Sequence, residues 1–334
     1  YLTHGYNQYP PMMGVAALRE AIARKVRDLY GLVANPDSEI TVTSGATEAL
    51  FCAITAVVHP GDEVIVFDPA YDSYEPAITL QGGVTRHIPM RAPAFSIDWD
   101  RVADSVTPRT RLIITNTPHN PSGSIWSGAD IEALRSLVCR HDLFVLADEV
   151  YEHIVFDGHR HESLCRYTDL MERSFVVSSF GKTYHTTGWK VGYCVAPPHL
   201  TSEFRRVHQF VTFTTNTPVQ HGLADFLERH PEHHLELGAF YQRKRDLFCQ
   251  LLEDSRFSVT PSSGTYFQLL GYENYSNESD VNLAERLTRE AKVASIPVSV
   301  FYENPDAHQH RVLRFCFCKD DVTLRAGAEI LCRL

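Results

Sequence analysis

At 334 residues, the chain is longer than one minimal hydrophobic core requires and suits one large and one smaller domain. Its 41 acidic residues outnumber its 31 basic residues, and the net charge of -10 argues against nucleic acid or an anionic membrane as a partner. No apolar run approaches the roughly 18 residues that span a bilayer. No secretory signal is visible, so we expect a cytoplasmic protein.

The first part of the chain predicts an α/β fold. Val15, Leu18, Ile22, Val26 and Leu29 recur at three- and four-residue steps, which indicates an amphipathic helix. Short runs rich in Val, Ile, Leu and Phe follow and alternate with helical patterns, and their lack of polar alternation is typical of strands covered on both faces. The predicted strands are 40–43, 63–67, 111–115, 143–147, 174–178 and 191–195. We therefore expect a mainly parallel sheet with helices on both faces.

The pattern changes after about residue 235. A long helix at 237–252 is followed by strand-like runs, a helix near 281–292 and a last strand at 312–317. This mixture is typical of an α+β domain. We predict a large domain at 1–235, with an arm and helix at 1–35, and a small domain at 236–334.

Possible metal ligands are numerous but irregularly spaced. The eight cysteines are scattered singly, with no CxxC pair, and we interpret them as small buried thiols in a reducing compartment. Two histidine-rich stretches, 158–162 and 230–234, lack regular ligand spacing, and we interpret both as solvated surface. No metal site is predicted.

Two lysines lie on the loop between two predicted buried strands. Lys182 directly follows the strand that ends at Ser178, and Lys190 precedes the strand that begins at Val191. A lone lysine in such a place is more often a surface residue, because an unpaired ammonium is costly to bury. Two cations on one loop change that balance, since one amine can form an imine while the other faces a phosphate.

Asp148 stands at the end of another predicted strand. In open α/β sheets, ligands bind beyond the carboxyl ends of the strands, so this carboxylate points at the site. It could keep a pyridine nitrogen protonated, and Tyr151 could donate to a phenolic oxygen on the same ring. The plainer alternative makes Asp148 a helix cap and Tyr151 a core aromatic.

Several further segments lie at strand ends. The turn of Gly45, Ala46 and Thr47 offers backbone N–H groups to an anion, although such turns also occur merely to cap a helix. Two prolines and a glycine fix the loop that carries Asn120. Tyr71 is suited to stacking on a flat ring. Arg314 lies in an apolar run and needs an anion, for which an α-carboxylate is the natural partner.

Taken together, these motifs resemble the class I aminotransferases with the aspartate aminotransferase fold, from end to end of the chain. The strings that carry the resemblance are NTPHNPSG, ADEVYEH, SSFGKTYHTTGWKVGYCVAP and LRFCFCKDD. They are most similar to the bacterial methionine aminotransferase group, and next to its kynurenine and glutamine aminotransferase relatives. The resemblance implies a fold type I transferase that depends on pyridoxal 5'-phosphate.

The resemblance also implies a role for each site residue. Lys182 carries the cofactor as a Schiff base and then moves the proton, and Asp148 pairs with the ring nitrogen. Arg314 binds the substrate carboxylate with help from Asn120. The other cofactor contacts that it implies are Tyr151 and Asn120 at the phenolic oxygen, Tyr71 on the ring, and Gly45, Ala46, Thr47, Ser179 and Lys190 around the phosphate. Tyr9 reaches the phosphate of a neighbouring subunit, which implies a homodimer with shared sites.

The chain departs from the family pattern in two places. Many relatives have arginine where this chain has Lys190, so a single charge replaces a forked contact with the phosphate. The family also has several dozen residues before the position of Tyr1, including a segment that closes over the substrate. We expect that such a segment belongs to this protein as well.

The predicted activity is transfer of an amino group from a neutral or aromatic L-amino acid, such as methionine, phenylalanine or tyrosine, to a 2-oxo acid. A kynurenine- or glutamine-type aminotransferase or a cysteine-conjugate β-lyase would use the same fold, and the sequence does not separate them. A regulator built on this fold would carry a DNA-binding module, and the sequence contains no sign of one.

Overall fold

A computed structural model describes residues 1–305 and 311–334. Within these residues, the strands form a seven-stranded sheet and a four-stranded sheet. The first sheet has the order β1-β7-β6-β5-β4-β2-β3, and the second has the order β10-β11-β9-β8. The strands are β1 (Ile40–Thr43), β2 (Glu63–Asp68), β3 (Val84–Pro89), β4 (Thr110–Asn116), β5 (Phe144–Asp148), β6 (Ser174–Ser179), β7 (Gly192–Val195), β8 (Ser258–Val259), β9 (Phe267–Gly271), β10 (Ile296–Pro297) and β11 (Val312–Cys316).

Helices connect these strands. They are α1 (Ala16–Tyr30), α2 (Gly45–Val57), α3 (Tyr74–Leu80), α4 (Trp99–Asp104), α5 (Gly128–His141), α6 (Thr168–Met171), α7 (Phe180–Thr183), α8 (Pro198–Val211), α9 (Thr217–Arg229), α10 (His233–Leu251), α11 (Asp280–Arg286) and α12 (Asp321–Arg333). A π-helical turn, Leu287–Ala291, extends α11. No helix among the described residues combines the length and apolarity that crossing a membrane requires.

Both faces of the large sheet are covered. Val64 and Val66 of β2 pack into one hydrophobic cluster, whereas Ile65 and Phe67 of the same strand pack into another. Successive side chains of a strand point to opposite faces, so two separate clusters require an apolar layer on each face. This arrangement explains the unbroken apolar runs in the sequence and confirms the predicted fold class.

The sheet is mainly parallel, as predicted, with one reversed strand. β2, β3, β4, β5 and β6 pair in parallel, while β7 runs antiparallel to both β6 and β1. The edge strand β3 was not among the predicted strands. Only one of its six residues is fully buried, so it lacks the continuous apolar run of the other strands.

The four-stranded sheet lies in the C-terminal part of the chain and packs with α10 and α12 around its own hydrophobic cluster. Tyr151, Ile154 and Phe156, which follow β5, also belong to this cluster. The segment after β5 therefore joins the two sheets. The division into domains at 1–235 and 236–334 stays a prediction.

The predictions that the cysteines are buried and that the histidine-rich stretches are solvated were each wrong in part. Cys139, Cys316 and Cys332 are exposed, whereas Cys52, Cys165 and Cys194 are buried as expected; all eight cysteines are free. The histidine-rich stretches are not wholly solvated, since His161 and His234 are buried. His161 Nε2 lies 2.9 Å from a Glu149 oxygen, and the His234 ring lies 4.9 Å from that of His153. The polar sequence around these two histidines gives no sign of their partners inside the protein, Glu149 and His153.

Candidate active site

A pocket of about 570 Å³ lies beyond the carboxyl ends of β4, β5 and β6. Strand ends of a parallel sheet meet at this edge, which is where ligands bind in open α/β folds. The predicted site residues that line it are Gly45, Ala46, Thr47, Tyr71, Asn120, Asp148, Tyr151, Ser179, Lys182, Lys190 and Arg314. The structure therefore brings eleven of the twelve predicted residues together.

Lys182 lies in α7, the single helical turn that follows β6. Its Nζ is 5.7 Å from the ring centroids of both Tyr151 and Tyr266. Within the described part of the chain, its ammonium has no hydrogen-bond or ion-pair partner. A half-buried amine without a partner is available to react with a carbonyl group.

Asp148 ends β5 and is only 3% exposed. Its Oδ2 accepts a 2.6 Å hydrogen bond from the Tyr74 hydroxyl. Burial raises the pKa of Asp148 to about 6, although the Tyr74 hydrogen bond and the nearby Lys182 charge act in the opposite direction. No helix begins at Asp148, so the helix-cap alternative is wrong. A buried carboxylate of this kind gains from a cation, such as a protonated ring nitrogen.

The N-terminus of α2 forms an anion cradle at one end of the pocket. Gly45 has a φ of 77°, and a Cβ built there would lie 3.2 Å from Lys190 Nζ. The first N–H groups of a helix have no partner within it, so Gly45, Ala46 and Thr47 offer donors beside this cation. Gly192 makes the approach possible, since its Cβ would lie 2.7 Å from the Ala46 nitrogen.

One short loop, residues 180–191, holds both lysines. The Phe180 N–H donates to the Val191 carbonyl at 3.1 Å, which closes the loop where β6 pairs with β7. Inside it, the Thr186 N–H donates to the Gly181 carbonyl, also at 3.1 Å. The positions of Lys182 and Lys190 are thus fixed relative to each other by backbone hydrogen bonds.

Hydrogen bonds also fix the loop that carries Asn120. The Asn120 N–H donates to the Asn116 side-chain oxygen at 2.8 Å, and Asn116 Nδ2 donates to the Asp148 carbonyl at 3.0 Å. His119 Nε2 donates to the Pro69 carbonyl at 3.0 Å, and this links the loop to the segment before Tyr71. The ends of β2, β4 and β5 therefore form one connected frame.

Arg314 of β11 enters the opposite end of the pocket. Its Nη1 donates to Asn120 Oδ1 at 2.5 Å, and its Cζ lies 4.1 Å from the centroid of Phe267. Burial lowers the pKa of Arg314 from its ordinary value. Its charge gains from an anionic ligand in this partly desolvated position. Apolar walls stand beside it, formed by Phe267, Ile296, Val300 and Phe301.

We call the group of Gly45, Asp148, Lys182 and Lys190 the cofactor end of the pocket, and the group of Arg314, Phe267, Ile296, Val300 and Phe301 the substrate end. Tyr9 lies at neither end. It is 81% exposed, and its ring stands edge-on to Phe213 at a centroid distance of 5.5 Å. The structure does not bring it to the pocket of its own chain.

Sequence reasoning missed several contributors. Tyr74 and Asn116 lie inside motifs that were recognised, but only their contacts reveal that they support Asp148 and Asn120. The walls at Ile296, Val300 and Phe301 carried no signal, because apolar residues in short elements look the same in a core and in a pocket.

The pocket suits pyridoxal 5'-phosphate on chemical grounds. It combines a helix N-terminus and Lys190 for a phosphate, Lys182 for an aldehyde, and buried Asp148 for a ring nitrogen. Tyr71 lines the same space and presents an aromatic ring. These donors fit each functional group of that cofactor.

Comparisons with known proteins agree with this chemistry. The family model described as aminotransferase class I and II matches residues 1–331. Methionine aminotransferase of Escherichia coli is 52% identical over all of this chain and 86% of its own length. Kynurenine–oxoglutarate transaminase of Dictyostelium discoideum is 33% identical, over 99% of this chain and 84% of its own.

Solved structures extend the agreement to the fold. The crystal structure of Escherichia coli YbdL, in which a methionine aminotransferase function was identified, matches with a TM-score of 0.97 and 52% identity. The match covers 100% of this chain and 88% of the YbdL chain. Class I and II aminotransferases use pyridoxal phosphate and act on amino acids and 2-oxo acids. The chain therefore belongs to the aminotransferase class I and II family and is an amino-acid aminotransferase.

Proposed function

We propose that the cofactor end holds pyridoxal 5'-phosphate with its phosphate on the N-terminus of α2. Lys190, which lies against Gly45, and Ser179 complete the phosphate contacts. Asp148 binds the ring nitrogen, Tyr71 stacks on the ring, and Tyr151 and Asn120 face its phenolic oxygen. The support for this orientation is the position of the anion cradle and the buried carboxylate in one pocket.

When bound, pyridoxal phosphate supplies an electrophilic carbon for the amino group and an electron sink for the substrate. Lys182 Nζ would hold the cofactor covalently in the resting enzyme. Once free, the Lys182 amine would take the proton from the substrate Cα and later return one. Asp148 keeps the ring nitrogen protonated, and its own hydrogen bond from Tyr74 holds it in place.

We propose methionine-like and aromatic L-amino acids as amino donors. Arg314 and Asn120 bind the α-carboxylate, and this orients the Cα toward Lys182. The observation that carries the proposal is the apolar wall beside Arg314, which buries a neutral side chain without leaving a charge unpaired. The similarity to Escherichia coli methionine aminotransferase supports the same choice.

The test is a panel of amino acids offered to the purified holoenzyme without a 2-oxo acid. We expect methionine, phenylalanine and tyrosine to convert the bound cofactor fully to its aminated form, which is followed by absorbance. Aspartate and glutamate should react at least about tenfold more slowly, because no gain offsets the burial of a second carboxylate. Equal rates for methionine and glutamate would contradict the proposed substrate class.

The same experiment separates the two alternatives on this fold. Kynurenine in the panel tests the transaminase activity named for the Dictyostelium relative. A cysteine conjugate tests β-elimination, which releases pyruvate and ammonia without an added 2-oxo acid. Multiple turnovers with the conjugate, and none with methionine plus a 2-oxo acid, would favour the lyase.

We further propose a homodimer with shared active sites. The exposed aromatic rings of Tyr9 and Phe210 lie on one chain without entering its own pocket. Large exposed apolar side chains of this kind favour a protein interface. Light scattering that gives the mass of a monomer at micromolar concentration would contradict this proposal.

A further inference from the structure

A buried group of three ionisable side chains lies beside the first turn of α2. His208 of α8 is fully buried, and its Nδ1 lies 2.5 Å from Glu48 Oε1. Cys52 Sγ donates to the same oxygen at 3.4 Å. Glu48 Oε2 accepts from the Ser44 N–H at 2.6 Å, so this carboxylate closes the turn by which the chain enters α2.

The hydrogen bonds determine the charge of the group. His208 Nε2 lies 2.9 Å from the Met12 carbonyl, which only accepts, so this nitrogen carries a proton. His208 Nδ1 and Glu48 Oε1 lie 2.5 Å apart and share one proton, while Glu48 Oε2 accepts from the Ser44 N–H. With that proton on either atom, the charges of the imidazole and the carboxyl group sum to zero.

A metal ion fits these side chains poorly, although their ligand atoms lie within 4.8 Å of one another. Both His208 nitrogens and both Glu48 oxygens are occupied by hydrogen bonds. Burial and the nearby Glu48 carboxylate raise the pKa of the Cys52 thiol far above its usual range. A metal prefers the thiolate, which this environment disfavours.

Glu48 lies at the helix end where the phosphate is proposed to bind, and its negative charge needs the compensation that His208 provides. A carboxylate in the first turn of a helix competes with any other anion for the positive end of that helix. The proposed phosphate needs the same end, through the N–H groups of Gly45, Ala46 and Thr47. An uncompensated Glu48 would repel that phosphate, whereas a Glu48 neutralised by His208 does not.

We propose that His208 is a positioning residue for the cofactor phosphate, acting through Glu48. The proton that its Nδ1 shares with Glu48 Oε1 cancels the carboxylate charge, so that Glu48 orders the Ser44 turn without weakening the anion cradle. The Met12 carbonyl holds the other side of the imidazole. This inference rests on the proposed function, in which the phosphate lies at the N-terminus of α2.

The test compares two ligands that differ only in the phosphate. The affinities of cofactor-free protein for pyridoxal 5'-phosphate and for pyridoxal are measured by absorbance titration. In His208→Gln, pyridoxal phosphate should bind about tenfold more weakly, because the uncompensated Glu48 charge repels the phosphate, while pyridoxal affinity stays the same. A parallel loss for both ligands would overturn the proposal, because it indicates a general structural role.

A second substitution, at Glu48, should change the affinity for pyridoxal phosphate in the opposite direction. Glu48→Gln removes the repelling charge, so the double variant Glu48→Gln/His208→Gln should bind pyridoxal phosphate better than His208→Gln alone. A double variant that binds it no better overturns the proposal. If His208→Gln does not fold, Glu48→Gln alone decides, since the proposal expects no loss of phosphate discrimination from it.

His161→Gln is the matched control. It also removes a buried histidine from a glutamate, Glu149, but this pair involves neither α2 nor α8. Its preference for the phosphorylated ligand should equal that of the wild type, and an equal loss in both variants would overturn the proposal. Stoichiometric metal in the wild type that is lost in His208→Gln would also overturn it. A wild type that binds both ligands equally would instead refute the proposed phosphate site.

Discussion

The cofactor end and the substrate end of the pocket are built from different parts of the fold. The cofactor end uses Gly45, Asp148, Lys182 and Lys190, all on segments that leave or enter strands of the seven-stranded sheet. The substrate end uses β9, β10 and β11 of the other sheet. At the cofactor end, backbone hydrogen bonds close the loop that carries Lys182 and Lys190, and at the substrate end, the rings of Phe267 and Phe301 pack against the Arg314 guanidinium.

This difference indicates how the family can vary. In the proposed function, each group at the cofactor end binds one functional group of a ligand that does not vary, so we expect little change there to be compatible with activity. The apolar walls at the substrate end are proposed to contact the variable side chain of the amino acid. We therefore expect changes at Ile296, Val300 or Phe301 to alter the choice of substrate while the chemistry remains the same.

The largest expected effect is that of a substitution at Lys182, which should remove turnover without lowering stability. Lys182→Ala removes the amine that we propose moves the Cα proton, and we expect turnover to fall by about 1,000-fold or more. The melting temperature should not fall, because this ammonium has no partner among the described residues. Steady-state rates and thermal unfolding check both statements. Normal turnover would move the catalytic lysine elsewhere.

Arg314→Lys tests whether the two ends are independent. A lysine keeps the charge but cannot form a forked contact with a carboxylate. We expect kcat/KM for methionine to fall by about 100-fold, mainly through KM. The affinity for pyridoxal phosphate should not change. A comparable loss of cofactor affinity would show that the substrate end also shapes the cofactor end.

The pKa of Asp148 gives the cofactor end a pH dependence. Its value of about 6 means that the carboxyl is protonated at lower pH in the cofactor-free protein. A protonated ring must then displace that proton, so cofactor affinity should fall by up to about tenfold per pH unit below 6. Titrations between pH 5 and pH 8 check this slope. Asp148→Asn is the control, and its cofactor affinity should lack the part of this fall that comes from protonation of Asp148.

The same shift has the opposite sign for folding without cofactor. The pKa of Asp148 is raised from its ordinary value of 3.8 to about 6. The folded protein thus holds this proton more tightly than the unfolded chain. The resulting stabilisation is complete below pH 3.8 and is lost as the pH rises through about 6.

The smallest expected effect concerns side-chain selection. Phe301→Ala removes one wall of the substrate end, and its ring also lies 5.3 Å from the Arg314 guanidinium. We expect the preference for methionine over alanine, as a ratio of kcat/KM values, to fall by about tenfold. The rate with saturating alanine should change little. An unchanged ratio would place the side chain of the substrate elsewhere.

The sequence predicted the cofactor end well, because its residues follow apolar runs that are unmistakable strands. Lys182, Asp148 and Asn120 stand at or just beyond the ends of β6, β5 and β4, and parallel strands bring such positions to one edge. Local pattern and topology therefore suffice for this part. The roles of these residues stay predictions until the variants are measured.

The substrate end could not be predicted in the same way. Among the residues of the substrate end, only Arg314 was recognisable in the sequence, as a charged residue within an apolar run. Phe301 and Ile296 line the pocket together with residues that are distant in sequence, and the Phe301 carbonyl accepts from the Ala70 N–H at 2.7 Å. No short-range signal specifies such contacts. The buried state of His161 and His234 escaped notice for the same reason, since their partners Glu149 and His153 are distant in sequence or belong to another element.

The loop that closes between Phe180 and Val191 has a consequence for how relatives diverge. Because its ends are fixed by the pairing of β6 with β7, its residue count limits the spacing between Lys182 and Lys190, the amines that we propose form the imine and bind the phosphate. That spacing must match a molecule whose size never changes. Selection should therefore preserve the length of this loop more strictly than the identity of its exposed members, such as Trp189.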